Sequence, residues 1–444
     1  MPISTVKPWI AKGNLMAMVG DAQAERTDPP KFRRITFYVA LVVFAQEVTW
    51  NFFDAQVPPL LREHIASVAV VGLLMGADNL LGVFIQPWMG NRSDNTRTAW
   101  GRRIPFLVIG MPVAALLFLL IPLSSDSLPF LLGVMLAYAL ACNSFKPVAE
   151  SLLPDFIGPE RRSRANAAVK FAAGITVIVS ALISTLLVDD HPTLAFAIPS
   201  ALMIISITVV GFNVRDSHSP AYRKAVEEDR AQNADEVITV RVRDTVADIV
   251  RDRDRSRLLF MIGILFFGSA WAALRALITP FGQEVLEMSR GAAGGLTLPS
   301  GVAFLLAAFP VALLAERFGR IRVMLAGMTL FVVAMLVGTL WQAPAGAYTA
   351  LALAAVGASS FLINAVVVLW NLAPSTRVLG TYTGLYTVGW AGGAFVGPAL
   401  VGAMVDVTGW PFLMVNTAVV ATVAILVVGR VHVLQRRNGT AGAL

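Results

Sequence analysis

Residues 86–106 read QPWMGNRSDNTRTAWGRRIPF. Gln86 to Met89 close an apolar run, and Gly90 to Arg103 are polar, with Arg92, Arg97, Arg102 and Arg103 set against a single acid, Asp94. From Ile104-Pro105-Phe106 the chain is apolar again. Proline suits the first turn of a helix, where its missing N–H has no intrahelical partner to lose. Two apolar helices joined by a short basic hairpin fit a chain that crosses a membrane and turns back at a basic face.

The composition extends this pattern to the whole chain. Of 444 residues, 56% are hydrophobic and 14% charged, whereas soluble domains carry about 25% charged residues. Apolar segments of about 20 residues can span a bilayer. They fall at 34–61, 66–90, 104–124, 128–152, 164–188 and 193–212, and again at 258–283, 292–315, 321–342, 346–372, 378–404 and 410–432. The reading is an all-α membrane protein of twelve transmembrane helices in two six-helix, pseudo-symmetric halves. Its expected organisation is a tail 1–33, a bundle 34–212, a charged linker 213–257, a second bundle 258–432 and a tail 433–444. Residues 1–30 hold no apolar core with a cleavage site, so the segment from Ile35 reads as a retained span. Val242, Val246, Ile249 and Val250 recur at near-helical spacing, as in a surface amphipathic helix; a plain solvated linker is the alternative. The single cysteine, Cys142, and four scattered histidines offer neither a disulfide framework nor metal-ligand spacing, and no cofactor is expected.

Alternate loops differ in charge. One set holds Lys31, Arg33 and Arg34, the four hairpin arginines, Arg161, Arg162 and Arg164, the linker, Arg317, Arg320 and Arg322, Arg377, and Arg430, Arg436 and Arg437. The other holds Arg62 and Arg290 among Glu63, Asp126, Asp189, Asp190, Glu284, Glu287 and Asp406. The positive-inside rule places both termini and the linker in the cytoplasm of a cell-membrane protein, which requires an even number of spans. The net charge of +7 then reflects orientation in the bilayer rather than a nucleic-acid surface.

The hairpin has a second copy. Gly90-Asn91-Arg92-Ser93-Asp94 and Gly101-Arg102-Arg103 follow span two, and Ala312-Leu313-Leu314-Ala315-Glu316-Arg317-Phe318-Gly319-Arg320-Ile321-Arg322 follows span eight. Both lie between the second and third spans of their half, as an internal duplication requires. This loop resembles the signature loop of the major facilitator superfamily, with Ala312 and Glu316 where Gly and Asp are usual. Gln86-Pro87, Gly90, Ser93-Asp94 and Gly101 to Phe106 resemble the sucrose–proton symporter branch, related to the glycoside–pentoside–hexuronide cation symporters. Leu153-Pro154-Asp155 and Arg161 to Ala167 are similar to a second motif of that branch. The resemblance implies the twelve-helix fold and proton-linked uptake of a sugar or glycoside. The expected partners are a small-molecule substrate, protons and the lipid bilayer, around a monomer.

A charge at the bilayer centre costs about 2.5–3.5 kcal/mol and needs a partner, water or a purpose. Span one places Glu47, Asn51 and Asp54 within about 60° of one another on the helix surface. Glu47 lies about 18 Å along that helix, near mid-bilayer, and Asp78 of span two is also near mid-depth. Crowding and desolvation disfavour the charged form of a carboxylate, so Glu47, Asp54 and Asp78 are the candidate proton carriers. The plainer reading makes them hydrogen-bonded packing acids or, for Asp54, a vestibule residue. Candidate substrate ligands are Trp50, Asn51, Arg275, Asn364, Asn371, Tyr382, Tyr386 and Trp390, because sugars take amides and charges on their hydroxyls and aromatic faces on their rings. Arg275 has three readings: pairing with a carboxylate across the pseudo-two-fold, binding sugar hydroxyls, or snorkelling. Gly389, Gly393 and Gly397 read as close helix packing. Candidate gating groups are Asp94, Arg102, Arg103, Lys146, Glu150, Lys170, Glu316, Arg317 and Arg320, with Lys146 and Glu150 an i, i+4 pair.

Efflux of a drug-like solute suits the intramembrane acids equally, although it leaves the match at Gln86–Phe106 without a reason. A non-transporting receptor lacks a sizeable soluble domain in this chain, and no nucleophile–base pair or phosphate loop points to an enzyme.

Overall fold

A computed structural model describes residues 29–157, 159–220, 222–223, 249, 251, 255–372 and 379–437. The expected amphipathic stretch lies outside the described residues except for buried Ile249. The loop at Arg377 and most of both expected tails also lie outside them.

Among the described residues, twelve helices are long and apolar enough to cross a membrane. The first six are α1 (Pro29–Arg62), α2 (Val68–Asp94), α3 (Ile104–Leu123), α4 (Leu128–Phe156), α5 (Pro159–Leu187) and α6 (Pro192–Asn213). The second six are α7 (Ser256–Glu284), α8 (Leu298–Phe318), α9 (Arg320–Leu340), α10 (Pro344–Asn371), α11 (Leu379–Thr408) and α12 (Leu413–Arg437). A short helix, Arg290–Gly294, and a 3-10 turn, Gly295–Thr297, lead into α8. Helix starts follow local chemistry: Ser67 Oγ accepts from Val70 N to cap α2, and proline occupies the first turn of α3, α4, α6 and α8.

The duplication read from the hairpins extends to the packing. In the first half α1 packs on α5 and α6, α2 on α4, and α3 on α4 and α6. Adding six to each number gives the pairs of the second half: α7 on α11 and α12, α8 on α10, and α9 on α10 and α12. Each half is centred on buried aromatics. Phe52 meets Phe196 at 4.9 Å, and Phe118 meets Tyr138 at 5.3 Å. Phe267 lies 4.4 Å from Phe361 and 5.4 Å from Phe331. Lipid is as apolar as these rings, so van der Waals fit rather than water exclusion holds them together. The lipid-facing surface carries exposed Phe84, Leu186, Phe212, Leu306 and Phe309.

The halves meet along α2–α11, α5–α8 and α1–α7. The α2–α11 seam is close because its crossing residues are small. A Cβ on Gly72 would fall 2.2 Å from Pro398 O, and one on Gly76 would fall 2.4 Å from Phe395 O. Within the second half, Gly393 and Gly397 lie against the α7 backbone at Leu265 and Ser269, which is the packing role expected of the span-eleven glycines. Gly76→Val should overpack the α2–α11 crossing and destabilise the protein by about 1–3 kcal/mol. A lowered melting temperature of the detergent-solubilised protein would show it; an unchanged one would mean the helices do not meet there.

Candidate functional site

Glu47, Trp50, Asn51 and Asp54 share one side of α1, as the spacing requires, and each meets a group from another helix. Arg275 of α7 donates through one nitrogen to Asp54 Oδ2 at 2.9 Å and to Asn51 Oδ1 at 2.5 Å. Asn51 in turn donates to Thr176 Oγ1 of α5 at 2.7 Å. Lys146 of α4 places its ammonium 4.0 Å from Glu47 Oε1 and 5.4 Å from the centre of the Trp50 ring. These four charged side chains keep between 23% and 33% of their surface exposed. At mid-span, away from both helix ends, that exposure points to a wet cleft between the halves, because charges half-exposed to hydrocarbon would be expensive.

Asp78 is buried at the edge of this cluster. Asn79 Nδ2 donates to its Oδ1 at 2.8 Å, and Asn143 Nδ2 donates to its backbone oxygen at 3.1 Å. Gln86 Nε2 reaches Asn143 Oδ1 at 2.7 Å, extending a polar line along α2 and α4 toward the basic face.

The second half presents Tyr386 and Trp390 as near-parallel rings 6.5 Å apart, with Trp390 against Gly268 of α7. Asn364 and Tyr382 turn into their own half instead. The Asn364 amide donates to Ser360 O at 2.9 Å, and buried Tyr382 accepts from Arg257 at 3.0 Å. Asn371 is exposed at the end of α10.

The gating residues separate into two groups. Lys146 pairs with Glu47 rather than with its i, i+4 neighbour Glu150, which is exposed, so it belongs to the central cluster. Lys170 and Glu316 are also exposed, and the Arg317 guanidinium lies 5.3 Å from the Phe318 ring, beside Arg320 at the start of α9. The hairpin residues form a clamp inside the first half. Arg102 holds both oxygens of Asp155 at 3.0 and 2.7 Å, and Arg103 adds a third bond at 2.9 Å. Arg103 also reaches Ser93 Oγ at 2.8 Å and Asp94 Oδ1 at 2.5 Å. From beyond α6, buried Asp216 accepts from the backbone N–H groups of Arg102, Arg103 and Ile104 at 2.6, 2.7 and 3.2 Å, capping α3. Gly101 has φ +112° and packs against that carboxylate, a position where a side chain would be both strained and blocked. Burial disfavours charge on Arg102, but the hydrogen bonds and charge of Asp155, with Asp94 and Asp216 behind it, outweigh this and hold its pKa above the ordinary value. Desolvation pushes the Asp216 carboxyl up from its usual range, and the backbone donors only partly offset it. The motif reading included Asp155 only as part of a sequence match and missed Asp216, which lay in a stretch read as linker.

A second set of groups, read from sequence only as acidic loops, joins the halves on the face opposite the hairpins. Asp406, in the last turn of α11, accepts from Ser67 Oγ at 2.7 Å and from the N–H groups of Val68 and Ala69 at 2.7 and 3.0 Å, at the start of α2. Asp189, after α5, accepts from Ser289 Oγ and from Gly291 N at 2.7 Å, at the start of the helix leading into α8. Exchanging the halves turns one arrangement into the other. Arg62–Glu284 at 3.1 Å and Arg290–Gln56 at 2.9 Å lie alongside.

The profile described as the Major Facilitator Superfamily matches residues 39–306 and 289–441. The sucrose transport protein SUC3 of Arabidopsis thaliana is 28% identical over 110 residues, covering 20% of this chain and 18% of that protein's length. A bacterial homologue of the human lysosomal transporter Spinster, inward-facing and occupied, superposes with a TM-score of 0.69 at 15% identity, over 94% of this chain and 98% of that one. The nucleoside transporter NupG gives 0.71 at 13% identity, over 89% and 99%. The peptide transporter POT with sulfate gives 0.67 at 11% identity, over 90% and 95%.

The clamp has a graded test. Asp155→Ala leaves two buried guanidinium groups without their shared carboxylate and should cost about 3–5 kcal/mol. Asp94→Ala removes an exposed partner and should cost less than about 1 kcal/mol. Thermal unfolding of the two variants in one detergent should separate them, and equal losses would deny Asp155 its central place.

Proposed function

The chain belongs to the major facilitator superfamily, and from that premise we propose that it takes up a sugar or glycoside together with protons, by alternating access. It is a multi-pass membrane transporter with a small-molecule substrate, not an enzyme. The observation that carries the reading is the Asp54–Arg275 pair, which ties α1 of one half to α7 of the other within the spanning segments. A proton on Asp54 removes the charge that holds Arg275. The guanidinium is then released to substrate oxygens, and one link between the halves is loosened. Proton binding, substrate binding and movement thus meet in one contact, as coupled transport requires. Glu47, with Lys146, and Asp78 are the further proton-carrying positions toward the basic face.

Sugar is supported by the side chains around the pair. Trp50, and across the cleft Tyr386 and Trp390, offer flat faces to the apolar side of a sugar ring, while Asn51, Lys146 and Arg275 offer donors to its hydroxyls. The hairpin motif and the short similarity to a sucrose transport protein point the same way. The basic face is assigned to the cytoplasm of the cell membrane, with both termini and the 213–257 linker there. Bundles 34–212 and 258–432 are the moving bodies of a monomer, and Asp94, Arg102 and Arg103 keep the first of them rigid. Among the described residues, the polar contacts at a membrane face that join the halves lie on the opposite face, which supports a conformation closed to the outside.

Purified protein in proteoliposomes with an imposed pH gradient should accumulate at least one member of a labelled sugar and glycoside panel. Absence of accumulation under either a proton or a sodium gradient rejects the proposal. Asp54→Asn, Glu47→Gln and Asp78→Asn should each abolish gradient-driven accumulation and leave substrate exchange; if all three remain fully concentrative, the proton site lies elsewhere. Arg275→Gln should weaken substrate affinity by about tenfold or more, the factor expected from one lost charged hydrogen bond of about 1.5–3 kcal/mol. Binding by the solubilised protein measures it.

A further inference from the structure

A groove of about 320 Å³ lies outside the central cleft, where α3 leaves the basic face. Thr98, Ala99 and Trp100 of the hairpin form one wall, and Pro105, Val108 and Ile109 of α3 form the other. Ile109 is 69% exposed on a spanning helix, so the groove opens to hydrocarbon. Val108 lies against Gly211 of α6, and the next residue, Phe212, is 80% exposed. The walls therefore suit an acyl chain.

The rim suits something else. Arg215 stands with its guanidinium 4.9 Å from the centre of the Trp100 ring, and its Nη1 donates to Gly211 O at 2.8 Å. A guanidinium has five N–H donors, and among the described residues Arg215 makes no other protein hydrogen bond. Arg97 of the same hairpin lies 5.9 Å from the Tyr222 ring, whose hydroxyl donates to Thr98 O at 3.2 Å. An apolar groove, an interfacial tryptophan and two arginines at the edge of the bilayer match a single class of molecule.

We propose that this groove binds one phospholipid with an anionic headgroup, its phosphate on Arg215 and an acyl chain along Val108 and Ile109. Arg215 directly precedes Asp216, the cap of α3, so the bound lipid braces the hairpin clamp from its membrane side. Charge complementarity selects the anionic headgroup over a zwitterionic one, and the apolar walls select a lipid over a free anion.

Native mass spectrometry of the full-length protein in detergent, titrated with phosphatidylglycerol or phosphatidylcholine, tests this. Phosphatidylglycerol should be retained about fivefold better, the factor that one basic residue near an anionic lipid contributes. Arg215→Gln should remove the preference, and Ile109→Trp, which fills the groove from its lipid side, should reduce retention of phosphatidylglycerol. If Arg215→Gln fails to fold, Ile109→Trp at its lipid-facing position decides alone. Equal retention of the two lipids by the unaltered protein overturns the proposal. So does retention by Ile109→Trp at the unaltered level, or displacement of the lipid by excess inorganic phosphate.

Discussion

An ionised side chain carried into a bilayer must find an opposite charge or water on another element, and the helix contacts of this protein follow from where those partners lie. Asp54 is answered by Arg275 across the two halves, and Glu47 by Lys146 within one. The two pairs differ in what they hold. Glu47–Lys146 links α1 to α4 inside a bundle, whereas Asp54–Arg275 spans the boundary between the bundles. Asp155, at the basic end of α4, solves the same problem with two arginines and almost no water. The partly exposed pairs therefore suit exchange of partners, and the buried one suits permanence.

Much of this architecture was legible in the residues. Twelve apolar runs, the alternation of basic and acidic loops and the doubled hairpin gave the helix number and the repeat, because bilayer thickness and charge asymmetry act on local sequence. The α1 face was legible too, since three polar residues at helical spacing must point one way. The partners were not. Asp155 lies 52 residues from Arg103, and Asp216 lies 113 residues from it. No periodicity joins positions so far apart. Lys146 was drawn toward Glu150 by i, i+4 spacing, yet the cleft offers it Glu47 and the face of Trp50. Asn364 and Tyr382 fitted the chemistry of a sugar wall, but sequence carries no sign of which residues a helix turns into its own bundle.

The duplicated halves also depart from symmetry in an informative way. Their internal packing is equivalent pair for pair, but the hairpin copies are not. The first holds a clamp fed by three acids, and the second keeps Glu316 and Arg317 at the surface. One half is thus braced as a unit at the basic face. Among the described residues, the second-half hairpin has no equivalent clamp.

Asp406 and Asp189 close the far face by gripping backbone N–H groups at helix starts of the opposite half, each beside one serine hydroxyl. Backbone donors cannot turn away or lose a proton, and once released they have no other protein acceptor within their own turn. When the far face opens, Val68, Ala69 and Gly291 must therefore bond to water at once. Separation of the helices and entry of solvent become a single event, so the far side has no dry open state in which a solute could wait.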